Sequence, residues 1–145
     1  MSSSYIPKHL REQVAVDARQ RCGYCLAQQT IIGIGLHVEH ILPEAAGGAT
    51  VRENLWLACS ECNNHKGAQV EAVDPESGER VPLFNPRTQR WTEHFAWSKD
   101  GTQILGLSTI GRATVIALDL NQPFMMLARR RWAMVGWHPP RDEVK

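Results

Sequence analysis

Cys59-Ser60-Glu61-Cys62-Asn63-Asn64-His65-Lys66-Gly67 repeats a spacing already present at Cys22-Gly23-Tyr24-Cys25, and the two pairs hold all 4 cysteines of the chain. Two Cys-x-x-Cys knuckles a few tens of residues apart fit a tetrahedral zinc ion, because each tight turn delivers two thiolates to one point. Gly23 suits the sharp bend of the first knuckle. The other readings are two disulfides or a redox dithiol. A cytosolic chain disfavours disulfides, and a redox pair normally stands alone beside a βαβ pattern. Structural zinc is therefore expected at Cys22, Cys25, Cys59 and Cys62, in a closed site with no position left for a substrate.

Between the knuckles runs Leu36-His37-Val38-Glu39-His40-Ile41-Leu42-Pro43, followed by Gly47-Gly48 and Glu53-Asn54-Leu55. Leu36, Val38 and Ile41-Leu42 read as a short strand with apolar positions in a core. Alternation puts His37 and Glu39 on one face and Val38 and His40 on the other, unless a bulge intervenes near Ile41. Gly47-Gly48 marks a loop, and Leu55-Trp56-Leu57-Ala58 a second short strand. Ser60 is the expected N-cap of a short helix through Asn63, His65 and Lys66. The order is strand, loop, strand, helix, with polar groups converging from the first strand and the helix.

These residues, taken in order, resemble the HNH endonuclease family, whose nuclease core is the ββα-metal fold. Within it they are similar to the prokaryotic branch in which two Cys-x-x-Cys pairs hold a structural zinc beside the active site. The resemblance runs from Arg21 to Gly67. It continues more loosely through Asp74-Pro75, Leu83-Phe84-Asn85-Pro86-Arg87, Trp91, His94-Phe95 and Gly111-Arg112-Ala113-Thr114-Val115. It implies that His40 is the general base, that Glu39 and Asn63 hold a divalent ion, and that Asn54 is the middle Asn that fixes the loop. His65 shares or replaces the role of Asn63 in some branches, and His37 is a further candidate to bond or ligate beside Glu39. Most members carry Asp before the base, and Glu39 is one methylene longer.

The same roles follow from the chemistry of phosphodiester hydrolysis, which needs a base for water, a cation for transition-state charge and help for the leaving oxygen. His40 is the natural general base, because an imidazole is the side chain suited to taking a proton at neutral pH. Glu39 offers hard oxygens to Mg²⁺ or Mn²⁺, Asn63 a second oxygen, and Lys66 a charge for the phosphate. The presence of both Asn63 and His65 leaves the choice between Mg²⁺, Mn²⁺ and a transition metal open.

The rest of the chain sets bounds. Its 145 residues make one domain's worth, and 43% hydrophobic with 21% charged residues is an ordinary globular balance that excludes a disordered or collagen-like chain. No apolar run reaches the length of a membrane span, and the N-terminus lacks the apolar core of a signal peptide, so a cytoplasmic protein is expected. Net charge is +1, yet Arg supplies most of the 16 basic residues. Arg129, Arg130, Arg131, Arg141 and Lys145 cluster near the C-terminus, either as a solvated helix face or as phosphate contacts. Arg112 and Arg129–Arg131 are the candidates for backbone contacts to nucleic acid.

Pro7–Arg21 reads as a helix with Leu10, Val14 and Ala18 inward and Arg11, Arg19 and Arg21 outward. Beyond Val70, Asp74–Gly78 forms a turn, and Trp91–Trp97 and Gln103–Leu107 flank a hairpin at Ser98-Lys99-Asp100-Gly101. A helix begins near Gly111 with Ser108 or Thr109 as cap. Another opens at Pro123, with Phe124, Leu127, Trp132 and Val135 on one face. Trp91, His94, Trp97 and Trp137 are assigned to the core rather than to base stacking.

The expected architecture is α+β: a ββα-metal core at about residues 21–68, an N-terminal helix, and a C-terminal hairpin and helix elaboration at about 70–145 packed on it as one domain. The expected activity is metal-dependent cleavage of double-stranded DNA, by one copy or a homodimer. A catalytically silent zinc module that only binds nucleic acid is the competing reading.

Overall fold

The computed structural model describes residues 5–141, so Lys145 of the C-terminal basic cluster lies outside the described residues. The chain divides into two compact units, Met1–Val70 and Glu71–Lys145.

The first unit begins with helix α1 (Lys8–Asp17), with Pro7 at its N-cap position. Its four-residue spacing buries Val14 and, just past its end, Ala18 against Leu55 and Leu57, with Leu10 partly covered beside them. The helix stops earlier than its apolar pattern suggests, because Arg19 and Gln20 adopt left-handed backbone with φ of 53° and 59°. That turn carries Arg21 inward. It is buried and bridges to Gln28, so the expectation that it points to solvent is corrected. A single turn, α2 (Gln29–Ile32), follows.

Strands β1 (His37–His40) and β2 (Leu55–Ala58) pair antiparallel, with His37 opposite Ala58, Val38 opposite Leu57, Glu39 opposite Trp56 and His40 opposite Leu55. Alternation sorts the two faces. Val38 packs with Leu57 against the α1 cluster, while His37 and Glu39 meet helix α3 (Ser60–Lys66) through Ser60 and Lys66. The hairpin is thus covered by α1 on one side and α3 on the other. Cys59, rather than Ser60, occupies the N-cap of α3, and its sulfur accepts from the Cys62 amide.

The second unit contains two further hairpins. Strands β3 (Glu71–Val73) and β4 (Arg80–Pro82) flank the Asp74–Gly78 turn. After the short helix α4 (Trp91–His94), β5 (Phe95–Trp97) pairs with β6 (Ile104–Gly106). Helix α5 (Thr109–Ala117) is capped by Ser108, whose hydroxyl accepts from the Gly111 amide. Gly111 has to be glycine, since a Cβ there would meet the His94 carbonyl oxygen at 2.0 Å. Phe84, Trp91, Phe95, Ile104, Ala113, Leu118 and Leu120 form the buried interior.

Helix α6 (Pro123–Met134) starts at the expected proline, capped by Gln122. Its buried side is not the expected one. Phe124 is 82% exposed, and Leu127 and Val135 also face outward, whereas Arg129 lies 1% exposed. The Arg129 guanidinium donates to the main-chain oxygens of Thr102 and Leu120 and to Asn121 Oδ1. It also sits 5.6 Å from the Trp97 ring centroid. A guanidinium with this many internal acceptors can turn inward and rotate the apolar stripe away from the core. Trp137 is likewise exposed, which corrects its assignment to the core, while Trp91 is buried and packs on Phe95 and Trp97.

Candidate active site and metal centre

The four cysteines of the two knuckles are buried and unbridged, and their sulfurs all lie within 4.8 Å of one another. The Cys25 and Cys59 sulfurs are 3.7 Å apart. Zinc–sulfur bonds of about 2.3 Å in a tetrahedron require sulfurs about 3.8 Å apart, so the cluster fits a closed structural zinc. Leu26, not Gly23, provides the left-handed residue of the first knuckle, with φ of 61°. Gly23 instead donates its amide to the Leu57 carbonyl at 2.9 Å, tying the knuckle to β2. Burial pushes the Cys22 thiol well up, whereas hydrogen bonds from Cys22, Cys25 and Cys62 hold the Cys59 thiol far down. Four buried sulfurs converging on one point are the donor set that a divalent cation completes.

Glu39 sits beside this cluster, 6% exposed. The Tyr24 hydroxyl, inside the first knuckle, donates to Glu39 Oε1. Lys66 Nζ, four residues beyond the last cysteine and 2% exposed, lies 3.7 Å from Glu39 Oε2. The same ammonium donates to the His40 carbonyl at 3.4 Å. Burial raises the Glu39 carboxyl above its ordinary range, with the Lys66 charge and the Tyr24 hydrogen bond pulling it back.

His40, at the end of β1, places Nε2 2.9 Å from Thr50 Oγ1. The loop between them is held by Asn54. Its Oδ1 accepts from the Leu42 amide at 2.8 Å, and its Nδ2 donates to the carbonyls of Leu42 and Ala49 at 3.0 and 2.9 Å. Gly48 is needed for the same closure, because a Cβ there would stand 1.7 Å from the Leu42 oxygen. His37 Nε2 is 3.1 Å from Ser60 Oγ.

On α3, Asn63 is half-buried and His65 exposed, with His65 Nδ1 2.8 Å from the Glu61 carbonyl. Two residues apart, they point about 200° away from each other around the helix. Asn63, three residues before Lys66, shares the side of α3 that turns to Glu39. Glu39, Lys66 and the His40 main chain are therefore brought together, Asn54 organises the loop behind them, and His65 stands on the outward side.

The candidate phosphate-binding arginines separate. Arg112 is engaged by a fork of two 2.9 Å hydrogen bonds to Asp74, and Arg129 is interior. Both depart from the expected nucleic-acid-facing role, because their donors are already directed at protein acceptors. Arg130 and Arg131 are exposed. In the first unit a cleft of about 680 Å³ opens beside His37, lined among others by Lys8, Arg11, Glu12, Gln20 and Gln29.

Tyr24 and Thr50 were not legible as site residues. Tyr24 lies within the first Cys-x-x-Cys, where the cysteines draw the reading, and Thr50 is an unremarkable loop residue until the loop closes on His40.

Residues 22–69 match the family model described as HNH endonuclease. No curated protein and no solved structure matches the chain. The matched segment contains both knuckles, β1, β2 and α3, and its hairpin, helix and four-cysteine cluster are consistent with the zinc-knuckle form of a ββα-metal fold. The family supports a nuclease-type function in general. Among the described residues no helix is long and apolar enough to cross a membrane.

Proposed function

We propose that the protein is a metal-dependent endonuclease that hydrolyses DNA phosphodiester bonds, with His40 as general base. What carries this reading is the match over residues 22–69, which falls on a hairpin and helix bearing an adjacent carboxylate and imidazole, with a buried lysine against that carboxylate. His40 Nε2 lies 2.9 Å from Thr50 Oγ1, and in the tautomer that donates Nε2–H to that hydroxyl, Nδ1 keeps its lone pair for a water molecule. That water attacks phosphorus, its proton passes to Nδ1, and the bridging P–O bond opposite breaks. A Mg²⁺ or Mn²⁺ ion would supply charge for the transition state and the leaving oxygen.

Glu39 and Asn63 are the residues to hold that ion. The helix geometry favours Asn63 over His65 as the partner of Glu39. Lys66 neutralises Glu39 and fixes the end of β1, a role closer to support than to direct phosphate contact. Asn54 holds the loop that orients His40. Lys8 and Arg11 in the cleft beside His37, and the exposed Arg130 and Arg131, are candidate cations to meet phosphates. One such site cuts one strand per event, so double-stranded DNA is nicked first and linearised by successive nicks or by a pair of copies.

The silent binding module makes the opposite prediction about metal. Chelation of Mg²⁺ and Mn²⁺ under conditions that leave the zinc content unchanged should stop cutting of supercoiled plasmid while DNA binding persists. Binding without cutting under every divalent ion would favour the silent module.

A further inference from the structure

Both oxygens of Glu39 are held, and each is held from a different half of the zinc clamp. Oε1 accepts from Tyr24, which lies between Cys22 and Cys25, and Oε2 faces Lys66, one turn past Cys62. All three side chains are buried, with Tyr24 fully so. A glutamate has three freely rotating side-chain bonds and loses much freedom when fixed. Glu39 is anchored at its strand end by pairing with Trp56 and at its carboxyl end by the two knuckles. The clamp therefore does more than hold the hairpin against α3. It determines where a buried carboxylate points.

Resting on the reading of Glu39 as an ion ligand, we infer that Tyr24 is a positioning residue for the catalytic divalent ion, coupling the zinc knuckle to the Glu39 carboxylate. Donation from the hydroxyl occupies one lone pair of Oε1 and fixes the carboxylate plane. The remaining lone pairs of the two oxygens are then held in a fixed plane and stay available to a cation. Partners of this kind behind a metal ligand commonly change affinity about 10–100-fold when removed. Lys66 works in the opposite sense, as a resident cation beside Oε2 that an incoming ion has to share. Tyr24 thus orients the ligand without competing for it.

The test uses the full-length, zinc-loaded protein and Tyr24→Phe, which keeps the ring and removes only the hydroxyl. Zinc content and thermal unfolding are measured in both, Mn²⁺ binding is titrated by electron paramagnetic resonance, and plasmid cleavage is followed against Mn²⁺ concentration. The expected variant keeps its zinc and fold, binds Mn²⁺ at least about 10-fold more weakly, and recovers most of its cleavage rate at saturating Mn²⁺. Unchanged Mn²⁺ affinity in a variant whose wild-type parent binds Mn²⁺ and cuts would overturn the coupling and leave the nuclease reading standing. Loss of zinc in Tyr24→Phe would also overturn it, by making Tyr24 part of the knuckle's own fold. A wild type that neither binds Mn²⁺ nor cuts would overturn both.

Discussion

Asn54 commits its whole amide to one loop, receiving the Leu42 amide and donating to two carbonyls. Truncation to Asn54→Ala leaves those groups to find water or go unpaired. It should lower stability by about 1–3 kcal/mol in chemical denaturation. Cleavage should fall further than stability does, because the loop that carries Thr50 also orients His40; equal rates for variant and wild type would show that the loop does not set the histidine. His40 and Glu39 could be singled out in the sequence because phosphodiester hydrolysis uses an imidazole and a carboxylate, and Asn54 through the family resemblance. Tyr24 and Thr50 could not, since their partners lie across a hairpin and no local period marks them.

Among the elements, β1, β2 and α3 were readable from short apolar runs bracketed by glycines and cysteines, and α5 and α6 from their caps and from Pro123. The side that α6 buries was not readable. An apolar count favours Phe124, Leu127 and Val135 inward, but hydrogen-bond acceptors at Thr102, Leu120 and Asn121 draw Arg129 in instead. Similarly, Arg112 reads as a surface cation until the β3–β4 turn presents Asp74 to it. That pair carries a pH prediction. The Arg112 guanidinium and the Ser77 hydroxyl hold the Asp74 carboxyl well below the usual carboxylate range. A depressed folded-state value stabilises the fold above the unfolded carboxylate's pKa of roughly 3.9, and the gain is lost as pH falls through the folded value. Asp74→Asn should therefore lower the unfolding midpoint of the second unit, followed by the fluorescence of Trp91, Trp97, Trp132 and Trp137. The deficit should stay constant from about pH 8 to pH 5 and begin to close below about pH 4. A deficit that widens on acidification would contradict the assignment.

At the scale of the whole chain, chemistry and bulk are divided between the two units. The matched segment carries the zinc clamp, the histidine and the carboxylate within the first unit, while the second supplies its own core around Phe84, Trp91 and Phe95. The boundary near Val70 coincides with the change of character in the sequence, where the knuckle helix gives way to turns and hairpins. Which arginines of the second unit face outward was less legible, because charge alone does not tell an interior arginine from an exposed one. Arg129 and Arg130 are neighbours in sequence with opposite environments. The most direct test of the central claim is cleavage of supercoiled plasmid with Mg²⁺ or Mn²⁺ by wild type and His40→Ala, with zinc content and folding verified in both. The account predicts nicked and then linear product from the wild type and a loss of at least about 100-fold in the folded, zinc-loaded variant, the low end for a general base. Equal cutting by both proteins would remove His40 from the base role and contradict the assignment of the site.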